Sequence, residues 1–345
     1  MQSNDGRFMP GTSSLLADMP VWKHARQRGS LLEVTPDVAC IQLSLVNLFL
    51  VGEPGSGDRS WVLVDGGLAY ATERVRRAAA ERFGPDARPA AIVLTHGHFD
   101  HVGVVPQLAQ LWDVPVYAHR LEMPYLTGQS SYPPPDPAVG GGAMSFLSRL
   151  YPRGPINLGG RVQTLPADGS VPGMPGWRWI FTPGHTPGHV ALYREADRTL
   201  IAGDAFVTVK QESAIDVMLT HQPHVRRPPA YYTPDWQAAR RSVAELARLR
   251  PNVAATGHGL PMYGERLRYQ LDELARNWDR LALPSRGRYI RQPAIADERG
   301  VVSVPPPVFD RQLIAAVGIG LAVLAGAIVL GGLRSADRHD ATNCE

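Results

Sequence analysis

Short apolar runs, each closed by glycine, proline or a polar cluster, punctuate most of this chain. Ala91, Ile92, Val93 and Leu94 form one such run, and its unbroken apolar character predicts a strand buried on both faces. Residues 41–51 and 61–64 read as a strand pair joined by the Pro54-Gly55-Ser56-Gly57 turn. The pattern predicts helices over residues 72–82, 104–112 and 235–248, and a further strand over 114–118. Strands and helices therefore alternate through one domain spanning residues 31–283, preceded by an extension of residues 1–30. Residues 125–155 interrupt the alternation with Pro133-Pro134-Pro135 and Gly140-Gly141-Gly142, the mark of a long loop of the kind that covers functional sites.

Beyond residue 283 the pattern changes. Residues 284–310 hold Pro293 and Pro305-Pro306-Pro307 with little apolar periodicity, and read as a semi-extended tether. Residues 313–333 carry no charge over 21 positions. A helix there would reach about 31 Å, matching a hydrocarbon core of roughly 30 Å. The expected order is linker 284–310, transmembrane helix 311–334 and a short polar tail 335–345. Gly318, Ala322 and Gly326 recur every fourth position, a spacing that offers a helix-packing face and, through it, a route to homo-oligomers. Arg286, Arg288, Arg291, Arg299 and Arg311 precede the span, while Asp337, Asp340 and Glu345 follow it. The positive-inside bias places the catalytic head in the cytoplasm on a single-pass C-terminal anchor, and the absence of an apolar run in the first thirty residues agrees.

The chemistry concentrates where apolar runs end. His96, His98, Asp100 and His101 form the pattern H-x-H-x-D-H directly after the 91–94 run. Residues two apart in an extended chain project to one side, so His96 and His98 can reach one cation together. His185 sits at the centre of a Gly/Pro-rich loop, Asp204 closes the run Ile201-Ala202-Gly203, and His258 closes Ala254-Ala255-Thr256-Gly257. Imidazole and carboxylate suit zinc, iron or manganese, and no thiolate lies near these positions.

This constellation resembles the metallo-β-lactamase superfamily, and in particular its glyoxalase II-like hydrolases. The resemblance runs from about residue 31 to about residue 280 and includes Val64-Asp65-Gly66-Gly67. It implies an α/β (α+β) fold, a four-layer αββα sandwich with the site along one edge. It also implies two divalent metal ions, zinc before iron or manganese. His96, His98 and His185 would hold one ion, Asp100, His101 and His258 the other, and Asp204 would bridge them. Asp65 would orient the ligand loop from behind. A hydroxide shared by two such ions is a nucleophile at neutral pH, so the implied reaction is cleavage of an ester-like bond in a small acyl substrate such as a thioester or lactone. Asp100 or Asp204 would accept or return the proton.

Departures from the pattern narrow the subclass. His98 stands where flavo-diiron oxidoreductases place glutamate, and the carboxylate of Asp204 fits the true β-lactamases poorly. Ala205, Phe206 and Val207 follow Asp204 where lactonases usually carry tyrosine, and only one short helical stretch is expected after His258 where glyoxalase II proper has a helical extension. The rival readings are a mononuclear-iron persulfide dioxygenase and a non-catalytic, membrane-bound metal-binding module. Tyr125, Tyr132, Met144 and Phe146 on the long loop, Tyr231 and Tyr232 before the 235–248 helix, and Lys210 are candidates for the substrate pocket.

Composition adds bounds. With 345 residues and 44% hydrophobic content the chain can bury a large core. A net charge of +3 does not indicate a nucleic-acid partner, and two cysteines, Cys40 and Cys344, do not make a disulfide framework.

Overall fold

Most strands belong to two sheets. The first has eight strands in chain order: β1 (Arg26–Arg28), β2 (Leu31–Thr35), β3 (Val38–Gln42), β4 (Asn47–Val51), β5 (Val62–Val64), β6 (Ala91–Val93), β7 (Val116–Ala118) and β8 (Val162–Thr164). The strands β1 to β5 pair antiparallel, whereas β5, β6, β7 and β8 pair in parallel. Parallel neighbours need a crossover, and helices Thr72–Phe83 and Val105–Trp112 lie on the first two. The second sheet has the order β13 (Met262–Tyr263), β12 (Val253–Ala255), β11 (Thr199–Ile201), β10 (Val190–Arg194), β9 (Trp177–Phe181). Only β11 and β12 pair in parallel there, across helix Trp236–Arg248, which Asp235 caps by accepting from the Ala238 N–H at 2.8 Å.

The computed structural model describes residues 26–28, 31–219 and 222–308. The expected membrane helix, its packing face at Gly318, Ala322 and Gly326, the polar tail and most of the N-terminal extension lie outside the described residues. Among the described residues, no helix is long and apolar enough to cross a membrane.

Alternation along the strands sets the packing. Leu63 on β5 joins Val75 and Phe83 of helix Thr72–Phe83 in one apolar cluster. Its neighbours Val62 and Val64 turn the other way, into a cluster shared with Ile201, Val253 and Ala255 of the second sheet. Leu200 and Ala254 then face Trp236, Val243 and Leu267 on the far helices. Helices thus cover the outer face of each sheet, and the inner faces meet. Each fully buried aliphatic side chain contributes about 1.5–3 kcal/mol. Aromatic packing adds to this where Phe83 stacks on Trp61 at 4.5 Å and Trp112 meets the same indole edge-on at 5.6 Å.

Three expectations are corrected. Residues 41–51 are not one strand: the chain reverses after Gln42, with Leu43 N–H donating to Val46 O at 2.9 Å, and β3 pairs with β4. The reversal was hidden because both strands are almost wholly buried and so stay apolar. After His258 the chain forms the 13-residue helix Gly264–Arg276 and a further turn Trp278–Leu281, more than the single short stretch expected. Finally, residues 284–305 are no free tether. Tyr289 is buried in the helix-side cluster, Ala294 N–H donates to Pro234 O at 3.0 Å, and a hairpin of β14 (Ile295–Asp297) and β15 (Gly300–Ser303) sends Val301 N–H to Ser130 Oγ at 3.1 Å.

Candidate metal centre

Every histidine or carboxylate of the sequence motifs follows the end of a strand. β6 leads to His96 and His98, and the one-turn helix Phe99–Val102 carries Asp100 and His101. The β9–β10 loop holds His185, while Asp204 follows β11 and His258 follows β12. Loops at the carboxyl ends of strands are held by a rigid sheet, which is why chemistry collects there.

All seven side chains converge. His98 Nδ1 lies 3.0 Å from His185 Nε2. Asp204 Oδ2 lies 3.0 Å from His258 Nε2, 3.3 Å from His185 Nε2 and 3.7 Å from His101 Nε2. Asp100 Oδ2 lies 3.6 Å from His258 Nε2. Among the described residues, His96, His98 and His185 bring one ligand atom each within 4.8 Å of one another, as do Asp100, His101 and His258, and likewise His96, His101 and Asp204.

Backbone space explains the glycines beside these groups. A Cβ on Gly257 would sit 2.2 Å from Asp204 Oδ1, and Gly203 adopts φ +51° with His189 Nε2 only 2.6 Å from where its Cβ would be. Only glycine lets the His258 and Asp204 loops approach so closely.

Hydrogen bonds from behind choose the free nitrogen of three rings. His101 Nδ1 pairs with Asp65 Oδ2 at 2.9 Å, His258 Nδ1 with the Leu45 carbonyl, and His96 Nδ1 with Thr95 Oγ1 at 3.1 Å. Each leaves Nε2 directed at the cluster. Asp65 also accepts from the Thr95 N–H and hydroxyl, both at 2.8 Å, so one carboxylate sets the Thr95-His96 backbone and the His101 ring together.

Burial and the carboxylates divide the histidines of the centre into two groups. Burial pushes His96 and His185 well below the ordinary histidine range and His98 down to about 3, so their lone pairs are available. Burial opposes charge on His101 as well, but the carboxylates of Asp204, Asp65 and Asp100 outweigh it and hold that ring well above its usual range. His258 is raised in the same way, against burial, chiefly by Asp204. Burial alone would raise Asp204, yet His258 and His101 hold it well below the carboxylate range.

The residues present fit a divalent cation. His96 Nε2, His101 Nε2 and Asp204 Oδ1 are buried with no hydrogen-bond partner, an arrangement costly to leave unpaired. The donors are imidazole and carboxylate alone, which suits zinc, iron or manganese. Cys40 is buried in the apolar layer between the sheets, where burial pushes its thiol well up.

The sequence profile described as "Metallo-beta-lactamase superfamily" matches residues 42–258, the stretch that contains every one of these groups. The chain belongs to the metallo-beta-lactamase superfamily. A Bacillus subtilis protein named "Probable metallo-hydrolase YflN" is 44% identical over 247 residues, covering 72% of this chain and 93% of its own length. A "Hydroxyacylglutathione hydrolase" of Bdellovibrio bacteriovorus is 32% identical over 119 residues, a third of each chain (33% and 34%), so the likeness to glyoxalase II is weak. A solved structure of a beta-lactamase domain protein from Burkholderia ambifaria is 21% identical with TM-score 0.48, covering 77% of this chain and 80% of that one.

The superfamily motif does not mark the groups that brace these loops. Glu122 is fully buried and accepts from Gly97 N–H (2.9 Å), Gly188 N–H (2.8 Å), the Thr186 hydroxyl (2.8 Å) and the Tyr132 hydroxyl. It clamps the His96–His98 segment to the His185 loop. Burial raises its carboxyl, and the four donors pull against that rise. His189 Nε2 accepts from the Asp204 N–H at 2.9 Å while its Nδ1 meets Thr182 Oγ1 at 2.8 Å. Asn47 Nδ2 donates to Thr256 O (2.9 Å) and Gly259 O (2.6 Å), holding the His258 loop.

A cavity of about 130 Å³ opens beside the cluster, lined by His98, Asp100, His185, Asp204 and His258 together with Tyr231 and Tyr232. Met144, Tyr151 and Gln211 also face it. Four expected pocket residues do not line this cavity. Tyr125 is buried behind the site, stacked on Tyr132 at 3.9 Å, and the Tyr132 hydroxyl is spent on Glu122. Phe146 is exposed, and Lys210 points to solvent at a bend whose other side buries Val209 and Gln211.

Proposed function

We propose that this chain is a binuclear metal-dependent hydrolase of ester-like bonds. The observation that carries the reading is the position of Asp204 Oδ2, 3.3 Å from His185 on one side and 3.0 Å from His258 on the other. One carboxylate facing both ligand sets is what a pair of cations requires, with His96, His98 and His185 on one and Asp100, His101 and His258 on the other. The mononuclear-iron dioxygenase shares a closely similar residue pattern, and metal content and oxygen uptake separate it from the hydrolase. Zinc is the metal proposed first. The relative named as a metallo-hydrolase supports hydrolysis as the reaction class.

Two divalent cations held there would activate water and polarise a substrate carbonyl. The chain's own groups divide the remaining work. Asp204, enclosed by three histidines, is committed to holding charge together. Asp100 keeps 17% of its side chain exposed and lines the cavity, so it is the carboxylate placed to return a proton to a leaving group. Tyr231 and Tyr232 form the wall against which an acyl chain would lie.

Metal analysis of the purified protein, combined with a screen of thioesters, lactones and phosphodiesters, tests this reading. Two ions per chain with acyl hydrolysis are expected. One iron with persulfide-dependent oxygen uptake would replace the hydrolase with the dioxygenase.

The uncharged stretch of residues 313–333 supports a further part of the proposal, that the catalytic domain is held at the cytoplasmic face of a membrane by a C-terminal anchor. The protein should then stay with membranes through alkaline carbonate washing. Protease added to right-side-out vesicles should leave the domain intact, and its digestion would reverse the orientation.

A further inference from the structure

Apart from the proposed metal ligands, one residue lining the cavity beside the metal centre carries a buried polar atom that no hydrogen bond accounts for. Gln211 is 3% exposed and lines the cavity, yet its Oε1 is buried with no partner. A buried acceptor left unpaired is costly to the fold, so its retention asks for a ligand. Its backbone is firmly placed. The adjoining Glu212 is buried, accepts from Arg227 Nε and from Ala230 N–H, both at 3.2 Å, and offers its carbonyl to Met144 N–H at 3.2 Å. The backbone from which the Gln211 carboxamide projects is therefore held in place.

The rest of the wall says what surrounds the group that Gln211 would meet. Leu68, Phe99 and Met144 are apolar, and Tyr151, Tyr231 and Tyr232 present aromatic surface. Burial raises Tyr231 well above its usual range and Tyr232 also upward, so both phenols stay neutral. Among the described residues lining the cavity there is no lysine or arginine to pair an anionic tail away from the metal ligands. An anionic substrate tail would be desolvated here without a side-chain counter-charge.

We infer that Gln211 is a specificity-determining residue, and that the substrate is an uncharged acyl compound bearing an N–H or O–H donor near the scissile carbonyl, which Gln211 Oε1 accepts. This rests on the hydrolase reading above and goes further by naming the substrate class. A site built to pair a buried polar group discriminates strongly against an analogue that lacks the partner.

Three aryl esters of matched size test it on the metal-loaded protein. N-acetylglycine p-nitrophenyl ester carries the amide N–H, the 4-oxopentanoate ester replaces that N–H with a methylene, and the succinate mono-ester ends in a carboxylate. The first should be hydrolysed with a kcat/KM about 10- to 100-fold above the second, and the third should be the poorest. Gln211→Met, close in shape, should erase the preference by slowing only the first ester. Equal loss on the first two esters would mean a purely structural role and overturn the inference, as would no loss on either. Should the variant fail to fold, the wild-type ratio decides alone, and a ratio near one overturns the inference while leaving the hydrolase reading intact. No turnover of any ester would overturn the hydrolase reading and this inference with it.

Discussion

Asp204→Ala is expected to abolish hydrolysis, with kcat/KM falling about a thousandfold or more, roughly 4 kcal/mol of barrier. Bound metal should fall from two ions per chain to one or none. The reason is positional. Asp204 Oδ2 is 3.0 Å from His258 Nε2 and 3.3 Å from His185 Nε2, so it serves both ligand sets, and alanine leaves each set one ligand short. It also removes the negative charge that lets two cations lie close together. Asp204→Asn keeps the shape but not the charge, and should retain more metal than alanine while remaining slow. Elemental analysis beside steady-state kinetics reads both effects, with circular dichroism to show that the fold persists. An alanine variant holding two ions at near wild-type rate would remove the basis of the binuclear mechanism.

Glu122→Leu should produce the largest loss of stability away from the metal ligands, about 3–5 kcal/mol by chemical denaturation. Leucine fills the space but strands two backbone N–H groups, of Gly97 and Gly188, and the hydroxyls of Thr186 and Tyr132. Glu122→Gln should cost less, about 1–2 kcal/mol, because its carbonyl oxygen still accepts while its amide meets donors. The clamp joins the segment bearing His96 and His98 to the loop bearing His185, so metal affinity should fall in step with stability. A leucine variant with an unchanged denaturation midpoint would show that the four donors find other partners.

The two predictions differ in how visible their residues are in the sequence. Asp204 is legible because a buried strand, a glycine and a carboxylate follow one another, and His258 repeats the design. H-x-H-x-D-H is more legible still, since its ligands share one short segment. Glu122 has no such signature: it lies in an ordinary helical turn, and its meaning comes from two loops, at Gly97 and Gly188, that reach it from distant parts of the chain. Gln211 is hidden for the same reason, and the neighbouring Lys210 drew attention through charge although it faces solvent. Strand periodicity located β5 and β6 but missed the reversal between β3 and β4, because burial on both faces removes the polar positions that would mark it. The stretch after residue 283 misled in the opposite sense. Tyr289, Ala294 and Val301 dock by isolated contacts on irregular surface, and isolated contacts leave no period to detect.

His96, His98, Asp100 and His101 come from the half of the chain that builds the first sheet, whereas His185, Asp204 and His258 come from the half that builds the second. The centre therefore straddles a seam, and neither half owns a full complement of donors. A cation seated there would act as a rivet, and its capture would report that the two halves had docked in correct register before any substrate arrived.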